Sequence, residues 1–458
     1  MTQALPDGLL IAWYGDDFTG SSAVMEVLTF AGLPSVLFLE PPTPDDLLRF
    51  PGMRGVGIAS TARAQSPAWM DGALPPTFEW MKQSAAQICH YKTCSTLDSA
   101  PHIGSIGRAA EIGARIFADP FMPMLIAAPA IRRYQAFGHL FAGAGDGVFR
   151  LDRHPVMARH PTTPMAEADV TLHLAAQTPQ RIDLIDLEAL GSDGVTRSRL
   201  DAILAEGPAI VAFDTMSEAD LARVGAVIWG NRRRGRFVLG SQGIEYALVA
   251  HFRQNGWLPS AAPPPPFARV AQLPVISGSV SPTTARQIAH AAQHGFRILP
   301  FDASQALLSS DRAGALIDGT VASALHCLGE GGSPLICSAQ GPDDPAVMRF
   351  RATARQLGMD EAEANRVLGS TLGAIMSRII DQSGVSRVVV SGGDTSGAVT
   401  QQLGVRALTA LGTTSPGAAL FKADRGGDRM PIELALKGGQ MGAVGLFAWL
   451  RDGQARPD

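Results

Sequence analysis

Short apolar runs alternate with stretches of helical period along this chain. Leu9–Tyr14, Ser35–Leu39, Gly55–Ala59, Ile88–Tyr91, Met124–Ala128, Ala209–Asp214 and Phe237–Gly240 read as strands that are apolar on both faces. Strands of that kind belong to a mostly parallel sheet covered by helices on either side. Between the first two, Val24, Val27, Leu28 and Ala31 recur at helical spacing and end at Gly32, which predicts a helix over that stretch. The stretch Ala261–Val270 carries four successive prolines, which remove backbone donors and fix φ, so neither a helix nor a central strand can pass through it. A domain boundary is placed there, with domains at 1–262 and 267–458. Beyond it the alternation restarts, with Pro274–Ile276, Arg297–Phe301, Pro334–Ser338, Arg387–Ser391 and Ile432–Leu436 as strands. Helices are expected at Pro282–His294 and from about Asp360 to Gln382. The fold class expected is two α/β domains with mostly parallel sheets and an active site in the cleft between them. Arg150–Pro179, rich in His and Pro, reads as a long irregular connection.

The junction IAWYGDDFTG at Ile11–Gly20 sets Asp16 and Asp17 side by side after a strand and before a helix. In open α/β sheets the crevice beyond the strand ends is where ligands bind. A helix dipole offsets roughly 0.3–1 kcal/mol for one carboxylate but leaves the two repelling each other. One of the pair as a helix cap is ordinary; both together in that crevice point to chemistry. A second cluster, YKTCSTLDS at Tyr91–Ser99, packs Lys92, Ser95, Thr96 and Asp98 into a turn at another strand end, a donor set suited to a polyhydroxylated anion. Ser and Asp are also common turn residues. Arg63, closing ASTAR at Ala59–Arg63, could clamp a carboxylate through its fork.

In the second half, VISGSVSPTT runs from a strand through Ser277 and Ser279 into a helix, and VVVSGGDTSG repeats the move with Gly392, Gly393, Asp394 and Thr395. A third glycine turn follows at Gly438 and Gly439, with Lys437 at its mouth. Small residues at such turns let backbone amides approach phosphate oxygens. Each turn alone is as well explained by a tight connection; three in one domain suggest a nucleotide.

Composition narrows the partners. The 458 residues include 46% hydrophobic and 17% charged, with a net charge of −4, which gives no electrostatic reason to expect nucleic acid or an anionic membrane. No apolar run is long enough to span a bilayer and the start lacks a signal-peptide pattern, so a cytoplasmic protein is expected. Cys89, Cys94, Cys327 and Cys337 have no metal or redox spacing, and no metal ligand is assigned. Of the 38 basic residues only Lys82, Lys92, Lys422 and Lys437 are lysines, so a lysine inside a motif is more informative than usual. The G-x-x-x-x-G-K-[ST] loop is absent, as is a G-x-G-x-x-G opening a helix after the first strand.

Taken in order, DDFTGS, YKTCSTLDS, GHLF at Gly138–Phe141, HPTTPM at His160–Met165, SGSVSPTT, SGGDTSGA and KGGQMG at Lys437–Gly442 resemble the four-carbon acid sugar kinases, formerly a family of unknown function. The resemblance spans nearly the whole chain. It implies an N-terminal acid-sugar domain, a C-terminal ATP domain, and transfer of the γ-phosphoryl group to the terminal hydroxyl of 3-oxo-tetronate, threonate, erythronate or branched 3-oxo-isoapionate. One of Asp16 and Asp17 would then be the base, Arg63 and Lys92 would hold the carboxylate end, and Ser95, Thr96 and Asp98 the middle hydroxyls. Ser277, Ser279, Gly392, Gly393, Asp394, Thr395, Gly438 and Gly439 would hold ATP. Mg²⁺ is implied by the ATP chemistry, with Asp394 at most an indirect partner, and a homodimer is left open. The family's CSTFDST and GNIG appear here as CSTLDSAPHIGSIG, its GGET as GGDT and its KSGNFG as KGGQMG. The first change falls in the implied sugar pocket, the others spare the glycines and carboxylate. Two alternatives stand beside this reading: a nucleotide-sensing binding protein without turnover, and a nicotinamide-dependent dehydrogenase of similar acids.

Overall fold

A computed structural model describes residues 4–160, 162–260, 267–415, 418–427 and 429–453. The chain divides into two compact units, Met1–Ala262 and Pro263–Asp458. Prolines 263–266 of the expected boundary lie outside the described residues.

The first unit carries strands β1 (Ile11–Gly15), β2 (Ser35–Phe38), β3 (Gly55–Ala59), β4 (Ile88–Lys92), β5 (Phe121–Leu125), β6 (Arg133–Ala136), β7 (His139–Ala144), β8 (Gly147–Arg150), β9 (Ile182–Ile185), β10 (Ala209–Phe213) and β11 (Phe237–Gly240). Eight of them form a wholly parallel sheet in the order β2-β3-β1-β4-β11-β5-β10-β9. The expected apolar runs are its buried strands, β1 to β5 being buried at every position. From β1 the chain visits β2 and β3 on one side and then crosses to β4 on the other, so a topological switch opens beyond the carboxyl end of β1. Helix Phe18–Phe30 buries Val24, Met25 and Leu28 against this sheet, and Ile106–Phe117 packs closely enough that a Cβ on Gly113 would lie 2.1 Å from the Phe237 ring.

Three features of this unit depart from expectation, one being β9, which was not anticipated and is buried only at Ile185. The strand expected at Met124–Ala128 runs Phe121–Leu125, because Pro123 is accommodated inside it while Ala128 belongs to the following turn. The antiparallel meander β6-β7-β8 was not anticipated, its strands being half-buried and lacking a continuous apolar run. Residues 151–160 and 162–179 are mainly irregular, as expected, with short turns and one helix, Val170–Ala175.

The second unit carries β12 (Val275–Ser277), β13 (Phe296–Pro300), β14 (Ser333–Cys337), β15 (Arg387–Ser391), β16 (Ala407–Ser415), β17 (Ala418–Asp424) and β18 (Ile432–Lys437), in the order β13-β14-β12-β15-β18-β17-β16. The first five are mutually parallel, and β17 runs antiparallel to both its neighbours. A switch again opens where β12 leads to β13 and β14 on one side while β15 lies on the other. The expected helices are Pro282–Gln293 and Glu361–Ser383, the latter capped by Asp360 and ended by Gly384 at φ 69°. Among the described residues no helix is long and apolar enough to cross a membrane.

Candidate active site

At the first switch point β1 delivers Gly15, where a Cβ would lie 1.9 Å from Ser21 Oγ, so only glycine lets the helix start this close. Asp16 follows, 1% exposed, with its amide donating to Lys92 O at 2.9 Å and its carbonyl accepting from Arg63 N at 2.9 Å. Asp17 caps helix Phe18–Phe30 by accepting from Gly20 N at 2.9 Å. Arg63 spans the pair: Nε donates to Asp16 Oδ2 at 3.2 Å, and Nη2 to Asp16 Oδ1 at 2.7 Å and Asp17 Oδ1 at 2.8 Å. The repulsion expected between adjacent carboxylates is thus met by one guanidinium. Burial holds the Asp16 carboxyl above the usual range, with Arg63 opposing and Asp17 reinforcing. The two are not equivalent, because the Asp17 side chain is 29% exposed against 1% for Asp16.

Lys92 ends β4 beside β1, buried, with Nζ donating to Thr93 O at 2.7 Å. A Cβ on Gly20 would lie 2.4 Å from Asp17 Oδ1 and 2.7 Å from Lys92 Nζ, so this glycine is what admits the ammonium next to the cap. The following turn holds Leu97 at φ 53°, a left-handed conformation that a bulky residue adopts only under constraint and that concentrates at functional sites. Around it Thr96 Oγ1 donates to Asp98 Oδ1 at 2.7 Å, and Ser99 Oγ lies 3.0 Å from His173 Nε2. Ser95 is half-buried in the same turn. Burial pushes the Cys94 thiol up to about 11, which keeps it protonated, with Asp98 adding to the effect and Arg63 and Lys92 opposing it. Thr93 Oγ1 is buried without a partner.

Sequence reasoning passed over a brace beneath this turn. His90, two residues before Lys92, is fully buried with Nδ1 2.7 Å from Glu245 Oε1 and Nε2 3.0 Å from Gly240 O. Both ring nitrogens face acceptors, so two protons are held between the His90 ring and Glu245. Gly240 O also accepts from Thr93 N at 2.6 Å, tying the brace to the Lys92–Thr93 backbone. Nothing in the sequence near His90 signals a partner 155 residues away.

At the second switch point Ser277, Gly278 and Ser279 leave β12, and Gly392 to Thr395 leave β15. Gly278 N donates to Ser391 O at 3.1 Å, and a Cβ on Gly278 would lie 2.3 Å from Thr395 Oγ1. Gly392 has φ 135°, forms the start of helix Gly393–Gln402 without a side-chain cap, and would set a Cβ 2.8 Å from Thr395 Oγ1. A Cβ on Gly393 would meet nothing within 4 Å. The start of this helix therefore borders open space at Gly393. Ser391 Oγ, at the foot of the turn, is buried without a partner. Gly278, Ser279, Gly392, Gly393 and Thr395 line a cavity of about 470 Å³ that continues past Ser338 to a wall where Phe350, Met359 and Leu368 stand with Arg351, Arg355 and Glu361. That is the size and character of a small-molecule site.

Lys437 ends β18 beside Ser391 and is 1% exposed. Its Nζ donates to Thr284 Oγ1 at 2.9 Å, Gly438 O at 3.0 Å and Gly439 O at 3.2 Å. Ser279 Oγ lies where a Cβ on Gly439 would come within 2.8 Å of it, so the third glycine turn folds directly onto the first. Burial pulls the Lys437 ammonium down to about 8. Among the described residues no carboxylate forms an ion pair with it. An orphaned hydroxyl, uncapped helix amides, a glycine cradle and a desolvated ammonium together fit a phosphate group. The Asp394 side chain lies outside the described residues, and these contain no group of three or more His, Cys, Asp or Glu placed to hold a metal ion.

The family models divide the chain along the same lines, with a sugar-binding N-terminal domain matching residues 11–248 and a nucleotide-binding C-terminal domain matching residues 275–447. The chain belongs to the four-carbon acid sugar kinases. It is 46% identical to the 3-oxo-isoapionate kinase of Paraburkholderia graminis over 98% of this chain and 96% of that one. It is 28% identical to the 3-oxo-tetronate kinase of Pseudomonas savastanoi pv. phaseolicola, over 96% of each. A Haemophilus influenzae protein of the family has the same fold, with a TM-score of 0.74 at 22% identity, covering 96% of this chain and 99% of that one. Family membership places both switch points, the acidic one and the glycine-lined one, in domains described for a sugar and for a nucleotide.

Proposed function

We propose that this chain transfers the γ-phosphoryl group of ATP to the terminal hydroxyl of a four-carbon or branched acid sugar, and that 3-oxo-isoapionate is its preferred acceptor. The choice of acceptor rests on the 46% identity to the 3-oxo-isoapionate kinase against 28% to the 3-oxo-tetronate kinase from Pseudomonas savastanoi. The observation that carries the chemistry is the unequal pair at β1: Asp16 is buried and locked by Arg63, while Asp17 is held by the same guanidinium yet reaches solvent.

Phosphoryl transfer is mostly positioning and neutralisation of charge. Asp17 would take the hydroxyl proton as the sugar oxygen bonds to the γ-phosphorus and the bridging oxygen departs with ADP. Asp16 would fix Arg63, and through it the angle of Asp17. Lys92 would lie against the reacting end, and Ser95, Thr96 and Asp98 would order the sugar hydroxyls. In the other unit Ser277, Ser279, Gly392, Gly393 and Thr395 would hold the phosphates, with Lys437 beneath them and Gly438 and Gly439 closing the cradle. ATP would supply the phosphoryl group, and magnesium bound with it would offset the phosphate charge.

A coupled assay of ADP release with ATP and 3-oxo-isoapionate, 3-oxo-tetronate, threonate and erythronate tests the proposal. Turnover dependent on one of these acids, fastest with 3-oxo-isoapionate, is expected. Binding of ATP without turnover on any of them would replace the kinase reading with that of a nucleotide-sensing protein.

A further inference from the structure

Arg133 opens β6, in the meander that rises beyond the carboxyl end of β5, on the same edge of the parallel sheet as Asp16 and Lys92. Its backbone is pinned on both sides: Ala128 N donates to Arg133 O at 2.9 Å, and Arg133 N to Ala128 O at 3.2 Å. The guanidinium is equally fixed. Nη1 donates to Ile131 O at 3.2 Å, Arg132 O at 3.2 Å and Gly143 O at 3.4 Å, while Nε is buried with no acceptor. Among the described residues no carboxylate comes within 4.0 Å to form an ion pair with it. Backbone carbonyls orient a guanidinium but do not neutralise it, and a half-desolvated cation with an orphaned donor is costly unless an anion arrives. Burial accordingly holds Arg133 below the usual arginine range, Asp98 countering only in part.

Its surroundings locate that anion. Cys94 lies within electrostatic reach of Arg63 and Lys92, and also of Arg133, so the Cys94–Asp98 turn connects the Asp16–Asp17 end of the site with Arg133. Two strands, β4 and β11, stand between β1, which delivers Asp16, and β5, after which Arg133 follows. The reacting hydroxyl and the carboxylate of an acid sugar lie at opposite ends of the molecule. Arg63 is spent on the two aspartates.

We infer that Arg133 is the carboxylate anchor of the acid-sugar site, receiving through its free guanidinium edge the end of the substrate remote from Asp17. The inference rests on the kinase reading above. It makes Arg133 the residue that distinguishes an acid sugar from a neutral polyol of the same length.

The test uses the purified full chain, with the acid that gives the fastest ADP release in the panel and the primary amide of that same acid. For the native protein the amide should raise KM by about 30-fold, the loss of one charge-assisted contact. Arg133→Gln should raise KM for the acid by a similar factor with kcat within about threefold, leave KM for the amide unchanged, and so erase the preference. Arg133→Lys, which keeps the charge without the fork, should raise KM for the acid by about tenfold and leave KM for the amide unchanged; should the glutamine variant fail to fold, an unaltered acid-over-amide ratio in the lysine variant would overturn the anchor. An acid-over-amide preference that survives in Arg133→Gln, or an equal fall in kcat for both compounds, would overturn the anchor while leaving the kinase intact. No turnover by the native protein with any acid would overturn the kinase reading and the anchor with it.

Discussion

Replacing Asp17 with asparagine is expected to lower kcat by about 10³-fold, roughly 4 kcal/mol of transition-state stabilisation, with KM for either substrate changed less than about fivefold. The carboxamide is nearly the same shape, and its oxygen can still accept from Gly20 N and Arg63 Nη2, as Asp17 Oδ1 does at 2.9 and 2.8 Å. The helix cap therefore survives. What disappears is the ability to take a proton and the charge that raises the nucleophilicity of a nearby hydroxyl. Asp16→Asn should behave differently. It leaves the guanidinium with a weaker partner in a buried setting, so the variant loses thermal stability as well as activity. Steady-state kinetics on both variants, with melting temperatures alongside, separates the roles. A kcat within tenfold of native in Asp17→Asn would remove Asp17 from the chemistry.

Lys437→Met is expected to weaken ATP binding by about 100-fold, read as KM for ATP or by calorimetry, while making the unliganded protein more stable. The two effects share one cause. Lys437 is 1% exposed, donates to three oxygens and has no carboxylate ion-pair partner among the described residues, and burial brings its ammonium from 10.5 to about 8. Below about pH 8 the folded protein carries a charge it solvates poorly, a cost on the order of 2–3 kcal/mol. Between about 8 and 10.5 the unfolded chain keeps this proton and the folded chain does not, so stability contributed by this group rises with pH across that window. The stability gap between Lys437→Met and native protein, measured by denaturant unfolding, should therefore be widest at pH 7 and close as pH rises through the window. A methionine variant that binds ATP normally, or a gap indifferent to pH, contradicts this account.

The sequence made most of the parallel strands legible because buried parallel strands are largely apolar, and nearly every such run reappears within two residues of its expected ends. It also showed where chemistry gathers, since glycines and charges at strand ends are local signals: Asp16, Asp17, Lys92, Gly278 and Gly392 all occupy switch points. Partnership was not legible. Arg63 reaches 46 and 47 positions back to the aspartates, and His90 meets Glu245 across the sheet, neither of which leaves a mark in local sequence. Arg133 was hidden for a different reason: in a chain that uses arginine for almost all its positive charge, an adjacent pair such as Arg132 and Arg133 looks like surface. Only the buried Nε left without an acceptor distinguishes the second from the first. The meander, the edge strand β9 and β16–β17 were missed because edge and antiparallel strands carry weaker patterns than parallel strands buried on both faces.

In the proposed site the sugar side would bring three carboxylates, Asp16, Asp17 and Asp98, together with three cations, Arg63, Lys92 and Arg133. A monoanionic acceptor tips that balance by a single charge, whereas the same molecule leaves bearing nearly two more on its new phosphate. The cluster that admits the acid is thus poorly matched to what it becomes, and electrostatic mismatch favours departure over rebinding. Its signature would be an inhibition constant for the phosphorylated acid that tightens as added salt screens the repulsion.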